Sequence, residues 1–241
     1  MTASDRSDQH LLVVDDTAPA AGPSPVGMEA PGGRKGARAT AEQSRQNILA
    51  VATEEFARNG LAGARVDSIA ERTLTSKRAM YYHFGSKEGL YLAVLEKAYG
   101  AIREIEEKLN LETYDPEIAI RILVGATFDY QDQHPEFVRL VGNENIHHAS
   151  HMAKSKVIDT VNAPIIETIE GILKRGYTSG VFSVVIDPVD LHMMISAVCH
   201  FRVSNRYTFG TIFKRDLNEF GTRARHRQLM QDFIVSFLKH G

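Results

Sequence analysis

From residue 41 to the C-terminus, apolar residues recur three and four apart, and no stretch of useful length alternates apolar with polar. That period suits helices and does not suit half-buried strands, so the chain is expected to be all-α. Ile48, Leu49, Ala52 and Phe56 fall on one face, and Gly60 follows as a C-terminal stop. Val66, Ile69 and Ala70 mark a short second helix. A break of small and polar residues spans Thr73 to Ser76, and Ala79, Met80 and Phe84 form the apolar side of a third helix. Ser86 is placed to cap a fourth, running to about Leu109. Asp115-Pro116 opens a helix that His134-Pro135 closes, and the next runs to about His148. Further helices are expected over 155–178, from Asp187-Pro188 to about Tyr207, and over 223–239.

Residues 1–40 are rich in Ala, Pro, Gly, Ser and Asp and hold one short apolar patch, so they read as a disordered N-terminal extension ending in Arg34, Lys35 and Arg38. The remainder divides into 41–90 and 91–241. No apolar run approaches the roughly 20 residues that span a bilayer, and no secretory leader is expected. The single cysteine, Cys199, excludes an intramolecular disulfide framework and cysteine-based zinc sites, and it fits a reducing cytoplasm. Net charge is -2, which argues against a nucleic-acid partner until the chain is divided. Residues 34–90 hold ten Lys/Arg against six Asp/Glu, whereas 91–241 hold seventeen against nineteen. The basic excess therefore sits around one stretch, "SKRAMYYHFGSKE" at 76–88.

Two short helices with a tight break, following a longer amphipathic one, make a helix-turn-helix unit. Its second helix enters the major groove with its N-terminal residues against base edges. Here those residues are Ser76, Lys77, Arg78 and Ala79. Lys and Arg donate to guanine acceptors or hold phosphates. Tyr81, Tyr82 and His83 lie one turn on, within reach of the backbone, and Lys87 sits in the first turn of the next helix. A solvated basic helix with aromatic core contacts is the plainer reading, but packing alone gives no reason to gather so many donors on one short face.

Residues 45–96 resemble the DNA-binding domain of TetR-family transcriptional regulators. The resemblance rests on "ILAVATEEFARNG" (48–60), "IAERT" (69–73), "SKRAMYYHF" (76–84) and "SKEGLYLAVLE" (86–96). It implies a three-helix DNA-binding unit followed by a longer helical domain that binds a small ligand and dimerises through its last two long helices. Two positions depart from the pattern. The turn carries Thr73-Leu74-Thr75 where the family usually has Ala-Gly-Val, so a different tightening of the turn is expected. The second helix begins after Ala64-Arg65 rather than a Thr or Ser cap, and Arg65 is a candidate phosphate contact.

In the larger domain, Phe137, Leu140 and Val141 mark a buried helical face that Glu144 and His148 continue inward at four-residue spacing. His147 and His151 form a second such pair. Three readings stay open: a buried Glu–His pair, a polar anchor of a ligand pocket, or a metal site lacking a second Glu-x-x-His. The pocket expected on the second reading is lined by Phe128, Phe137, Val141, Met194 and Phe201, with Glu144, His148 and His200 as anchors. The final helix is apolar across a wide face, through Leu229, Met230, Phe233, Ile234, Phe237 and Leu238, which calls for a partner helix. The sum is a homodimeric, ligand-responsive regulator, a repressor released from a palindromic double-stranded DNA operator by a small-molecule effector. No cofactor, catalytic residue or metal site is expected. A helical enzyme with an accessory DNA-binding domain is the alternative, and turnover of a candidate ligand would distinguish it.

Overall fold

The structure is a computed structural model that describes residues 33–241, with side chains from residue 40 onward except at 159. Its described residues are all helix and connecting turns: α1 Gly33–Gly63, α2 Val66–Thr73, α3 Lys77–Phe84, α4 Lys87–Glu107, α5 Pro116–Gln133, α6 Pro135–Ile146, α7 Lys156–Thr178, α8 Pro188–Ser204, α9 Arg206–Phe213 and α10 Phe220–His240. Short 3-10 turns at Leu111–Thr113 and Met152–Lys154 lead into α5 and α7. The all-α expectation therefore holds. Residues 1–32 of the expected extension lie outside the described residues, and 33–40 belong to α1, so Arg34, Lys35 and Arg38 fall on helix rather than in an irregular arm.

The stripes read for the first three helices pack inward. Ile48, Leu49, Ala52 and Phe56 of α1 meet Ile69, Met80, Leu90, Tyr91, Val94 and Leu95 in one cluster, which also takes in Leu140 of α6 and Ile158 of α7. Burying a side chain of that size contributes about 1.5–3 kcal/mol, so this cluster fixes the first three helices on the start of α4. A second cluster joins α5, α7, α8 and α10 through residues such as Ile120, Leu123, Ile169, Ile172, Leu191, Ile195 and Ile234. α5 lies at its centre, packed on α7, α8 and α10. A third, smaller cluster gathers Ile102, Tyr130, Phe137, Val138 and Val203.

Helix ends follow the expected chemistry with three exceptions. Ser76, Ser86, Ser155 and Asp187 cap α3, α4, α7 and α8 by accepting from backbone N–H groups. Gly60 has φ +64°, which bends α1 near its end instead of stopping it there, and the helix resumes to Gly63. Expected as one helix to Tyr207, the segment after Asp187 instead breaks at Asn205 (φ -106°, ψ 6°), and α9 follows as a separate element. Nor does α6 reach His148: it ends at Ile146, and His148 and Ala149 both take positive φ.

Candidate functional site

The α2–α3 turn is closed by Leu74 at φ 52° and ψ 34°, with its own N–H and that of Thr75 returning to the α2 carbonyls of Glu71 and Ala70. The expectation of a differently tightened turn is thus corrected: leucine takes the left-handed conformation itself, at a cost of about 1–2 kcal/mol. Its side chain is almost fully exposed, so burial offsets little of that cost. At the start of α2, Arg65 provides no side-chain cap; its backbone N–H donates instead to Glu55 Oε1 at 3.0 Å. The α3–α4 connection is tighter still. A Cβ on Gly89 would lie 2.1 Å from the Phe84 carbonyl oxygen, so only glycine lets α4 start so close behind α3.

With α3 so held, Met80 points inward and the remaining expected readers face out. Ser76, Lys77, Arg78, Tyr81 and Tyr82 are exposed, while Ala79, His83 and Lys87 are half-buried. Ser76 and Ala79 are occupied with each other, since the serine oxygen accepts from the alanine N–H at 3.1 Å. Lys77 forms an ion pair with Asp67 across the helix-turn-helix, and that carboxylate raises its ammonium above the ordinary lysine value. Lys87 Nζ donates to the Ala62 carbonyl at 3.3 Å. The Arg65 and Arg78 side chains form no ion pair or hydrogen bond with other described residues. Two exposed guanidiniums therefore flank a surface that also offers the Tyr82 hydroxyl, which is chemistry suited to phosphate and guanine acceptors. Asp67 as the partner of Lys77 was not anticipated, and only the i, i+10 distance across a known helix-turn-helix could have suggested it.

The expected pocket around Glu144 does not assemble. Glu144 is 1 % exposed and fully engaged: Oε1 lies 2.8 Å from His151 Nδ1, and Oε2 accepts from the backbone N–H groups of His151 and Met152 at 3.3 and 3.1 Å. Burial, and then Glu144 itself, hold the Tyr91 hydroxyl well above the ordinary phenol range. The chain reversal after Ile146 puts His148 on an exposed turn and gives Glu144 to His151, which was placed in the competing pair. Phe128 is buried under the guanidiniums of Arg202 and Arg223, at 4.9 and 5.7 Å. Phe137 and Val141 belong to the third core cluster, and Met194 packs on the second. His200 is half-buried, with its imidazole held below the ordinary value by burial. Phe201 lies on a different surface, an apolar groove of about 490 Å3 between α8, α9 and α10 with Phe209, Leu229 and Phe233. No group of three His, Cys, Asp or Glu side chains suited to a metal ion occurs among the described residues.

A cleft of about 630 Å3 with both charged and apolar walls lies elsewhere, between α4, the 111–113 turn and α7. Arg103 and Glu106 form its charged wall, with Arg103 Nη1 2.6 Å from Glu106 Oε2 and 3.5 Å from His192 Nε2 of α8. Burial pushes the Glu106 carboxyl up to about 7, and burial followed by the Arg103 charge brings His192 down to about 4. The signal was present in the sequence: Glu106 follows Ile102 by four residues on the inward stripe of α4. A buried carboxylate on an apolar stripe marks a site or a paired charge.

A helix-turn-helix with exposed guanidiniums, set on a helical domain that carries a separate cleft between α4 and α7, is the arrangement of a DNA-binding protein. Residues 48–94 match the family model for bacterial regulatory proteins of the tetR family, and 116–234 match that for the tetracyclin repressor-like C-terminal domain. The chain is 33% identical to the HTH-type transcriptional repressor NicS of Pseudomonas putida over 83% of its own length and 94% of that protein's. Among solved structures, a transcriptional regulator of Streptomyces coelicolor, SCO4942, superposes with a TM-score of 0.59 at 28% identity, covering 79% of this chain and 97% of the other. A tetR-family regulator from Rhodococcus RHA1 superposes with a TM-score of 0.62 at 17% identity, over 79% of this chain and 96% of that one. The chain belongs to the TetR family of transcriptional regulators, which are DNA-binding regulators rather than enzymes.

Proposed function

We propose that this protein is a homodimeric, cytoplasmic repressor that leaves a palindromic operator when a small molecule enters the α4–α7 cavity. Residues 41–90 read the DNA, and 91–241 bind the effector and dimerise. The observation that carries the DNA half is the outward face of α3, where Arg78 and Tyr82 are exposed, with Arg65 beside them. The relative named as a transcriptional repressor supports the sign of regulation. That no helix among the described residues is long and apolar enough to cross a membrane fits a cytoplasmic site of action. The groove of α8, α9 and α10 supports the dimer, because a monomer rarely leaves so contiguous an apolar surface in water.

Coupling between the two halves has a physical route. α4 runs from the DNA-binding cluster, where Leu90 and Tyr91 are buried, to the cavity wall at Arg103 and Glu106. A ligand wedged between α4 and α7 tilts that helix and changes the spacing of the two recognition helices. Since dimeric helix-turn-helix proteins meet half-sites one helical turn apart or a multiple, a modest tilt spoils simultaneous contact. Arg78→Ala is expected to weaken operator binding by about 1–3 kcal/mol and to relax one operator position. Tyr82→Phe and Lys87→Ala should weaken all duplexes alike, as phosphate contacts do. Fluorescence anisotropy on operator and scrambled duplexes measures both, and wild-type affinity in all three variants would place the reader elsewhere.

A further inference from the structure

The α4–α7 cavity carries two buried atoms without hydrogen-bond partners, and they differ in kind. Arg103 Nε is a donor and Glu106 Oε2 an acceptor, on side chains 13% and 5% exposed. Although the ion pair is close, its geometry leaves both atoms unaligned, and buried polar groups are normally satisfied. The remaining lining is mixed, with Asn110 and Thr168 as its neutral polar members. Leu111, Val161, Pro164 and Ile165 offer apolar surface to a ring, and Glu104, Glu107 and Glu112 carry negative charge. Arg103 is the single cation of the lining, and Glu106 already neutralises it.

We propose that this cavity takes a small uncharged ring compound whose edge presents a hydrogen-bond acceptor beside an N–H donor, as a lactam or amide does. The acceptor receives Arg103 Nε–H and the N–H donates to Glu106 Oε2, so one ligand edge satisfies both orphaned atoms. A carboxylate or phosphate meets three glutamates with no free cation to balance them, and an ammonium, which only donates, leaves Arg103 Nε–H without an acceptor. His192 behind the arginine is neutral, so it adds no positive charge that would favour an anion. The inference rests on the reading of this cavity as the effector site. Gly100 supplies an independent handle, because it lines the cavity and an added Cβ there meets nothing within 4 Å.

The test uses the full chain and three probes of matched size: 2-quinolone, 2-naphthoate and 2-naphthylmethylamine. Calorimetry and melting temperature are expected to show binding of 2-quinolone alone. Arg103→Met should weaken that binding about tenfold or more. Gly100→Leu, which fills the cavity while improving helix propensity, should abolish it with a melting temperature at or above wild type. If 2-naphthoate or the amine binds instead, in a manner Gly100→Leu blocks, the ligand class is wrong and the effector-site reading stands. If 2-quinolone binds equally well to wild type and Gly100→Leu, the cavity is not the binding site and the effector-site reading fails. Absence of any 2-quinolone binding to the wild type also overturns the proposal, leaving the two orphaned atoms to water.

Discussion

Two buried groups on facing helices respond to pH in opposite senses. The Glu106 carboxyl, pushed up to about 7 by burial from an ordinary 4.5, holds its proton longer in the folded state than in the unfolded one. Its contribution is therefore full below about pH 4.5 and lost as pH rises through 7. His192, brought down to about 4 from 6.5, does the reverse, with stability present above 6.5 and lost as pH falls toward 4. Between 4.5 and 6.5 the two slopes offset each other in the wild type, so the informative quantity is a difference. Glu106→Gln is expected to gain stability over wild type as pH rises from 5 to 8, by on the order of 3 kcal/mol if the whole shift is expressed. Urea denaturation at pH 5, 6.5 and 8 measures it. A constant difference across that range would mean that Glu106 titrates normally.

At the scale of the elements, Glu144 joins α6 to the turn that feeds α7, and Tyr91 brings α4 to the same carboxylate. Asn143 beside it donates to the Phe56 carbonyl of α1 at 3.3 Å. These contacts tie the DNA-reading helices to the rest of the molecule. Glu144→Gln removes an acceptor from a buried, satisfied site and is expected to cost about 1–3 kcal/mol, whereas His148→Ala should fall within about 0.5 kcal/mol of wild type. Thermal melts of both variants distinguish this from a pocket role, in which His148→Ala would alter effector response. The sequence showed which residues are inward but not where the helix stops. Continued helix would bring His148 over Glu144; two positive φ values at 148 and 149 bring His151 instead, and although histidine takes positive φ more readily than most residues, alanine does not, so the pair announces no turn. Leu74 misled for the same reason, since backbone strain in a leucine leaves no mark on composition. The stripes of α1 to α3, by contrast, were readable because each apolar position is repeated within one turn by another. Arg103 and Glu106 were also legible, since Glu106 falls four residues after Ile102 on the inward side of α4.

For the whole molecule, the open question is what covers the α8–α10 face. Phe201, Leu229 and Phe233 are each more than half exposed, and α9 adds Ile212 and Phe213. On the dimer reading, Phe233→Glu leaves the protomer folded but buries an unpaired charge between two copies, at a cost of several kcal/mol. Sedimentation at micromolar concentration should then show a dimer for wild type and a folded monomer for the variant; a monomeric wild type would remove the two-half-site mechanism. The central claim, that α3 reads DNA in two symmetric copies, is met most directly by selecting bound duplexes from a random pool with the full chain. The account predicts enrichment of a two-fold symmetric site whose half-sites lie one helical turn apart or a multiple, with Arg78→Ala losing preference at one position in each half. Enrichment of no sequence, or of the same site with equal stringency by Arg78→Ala, would contradict it.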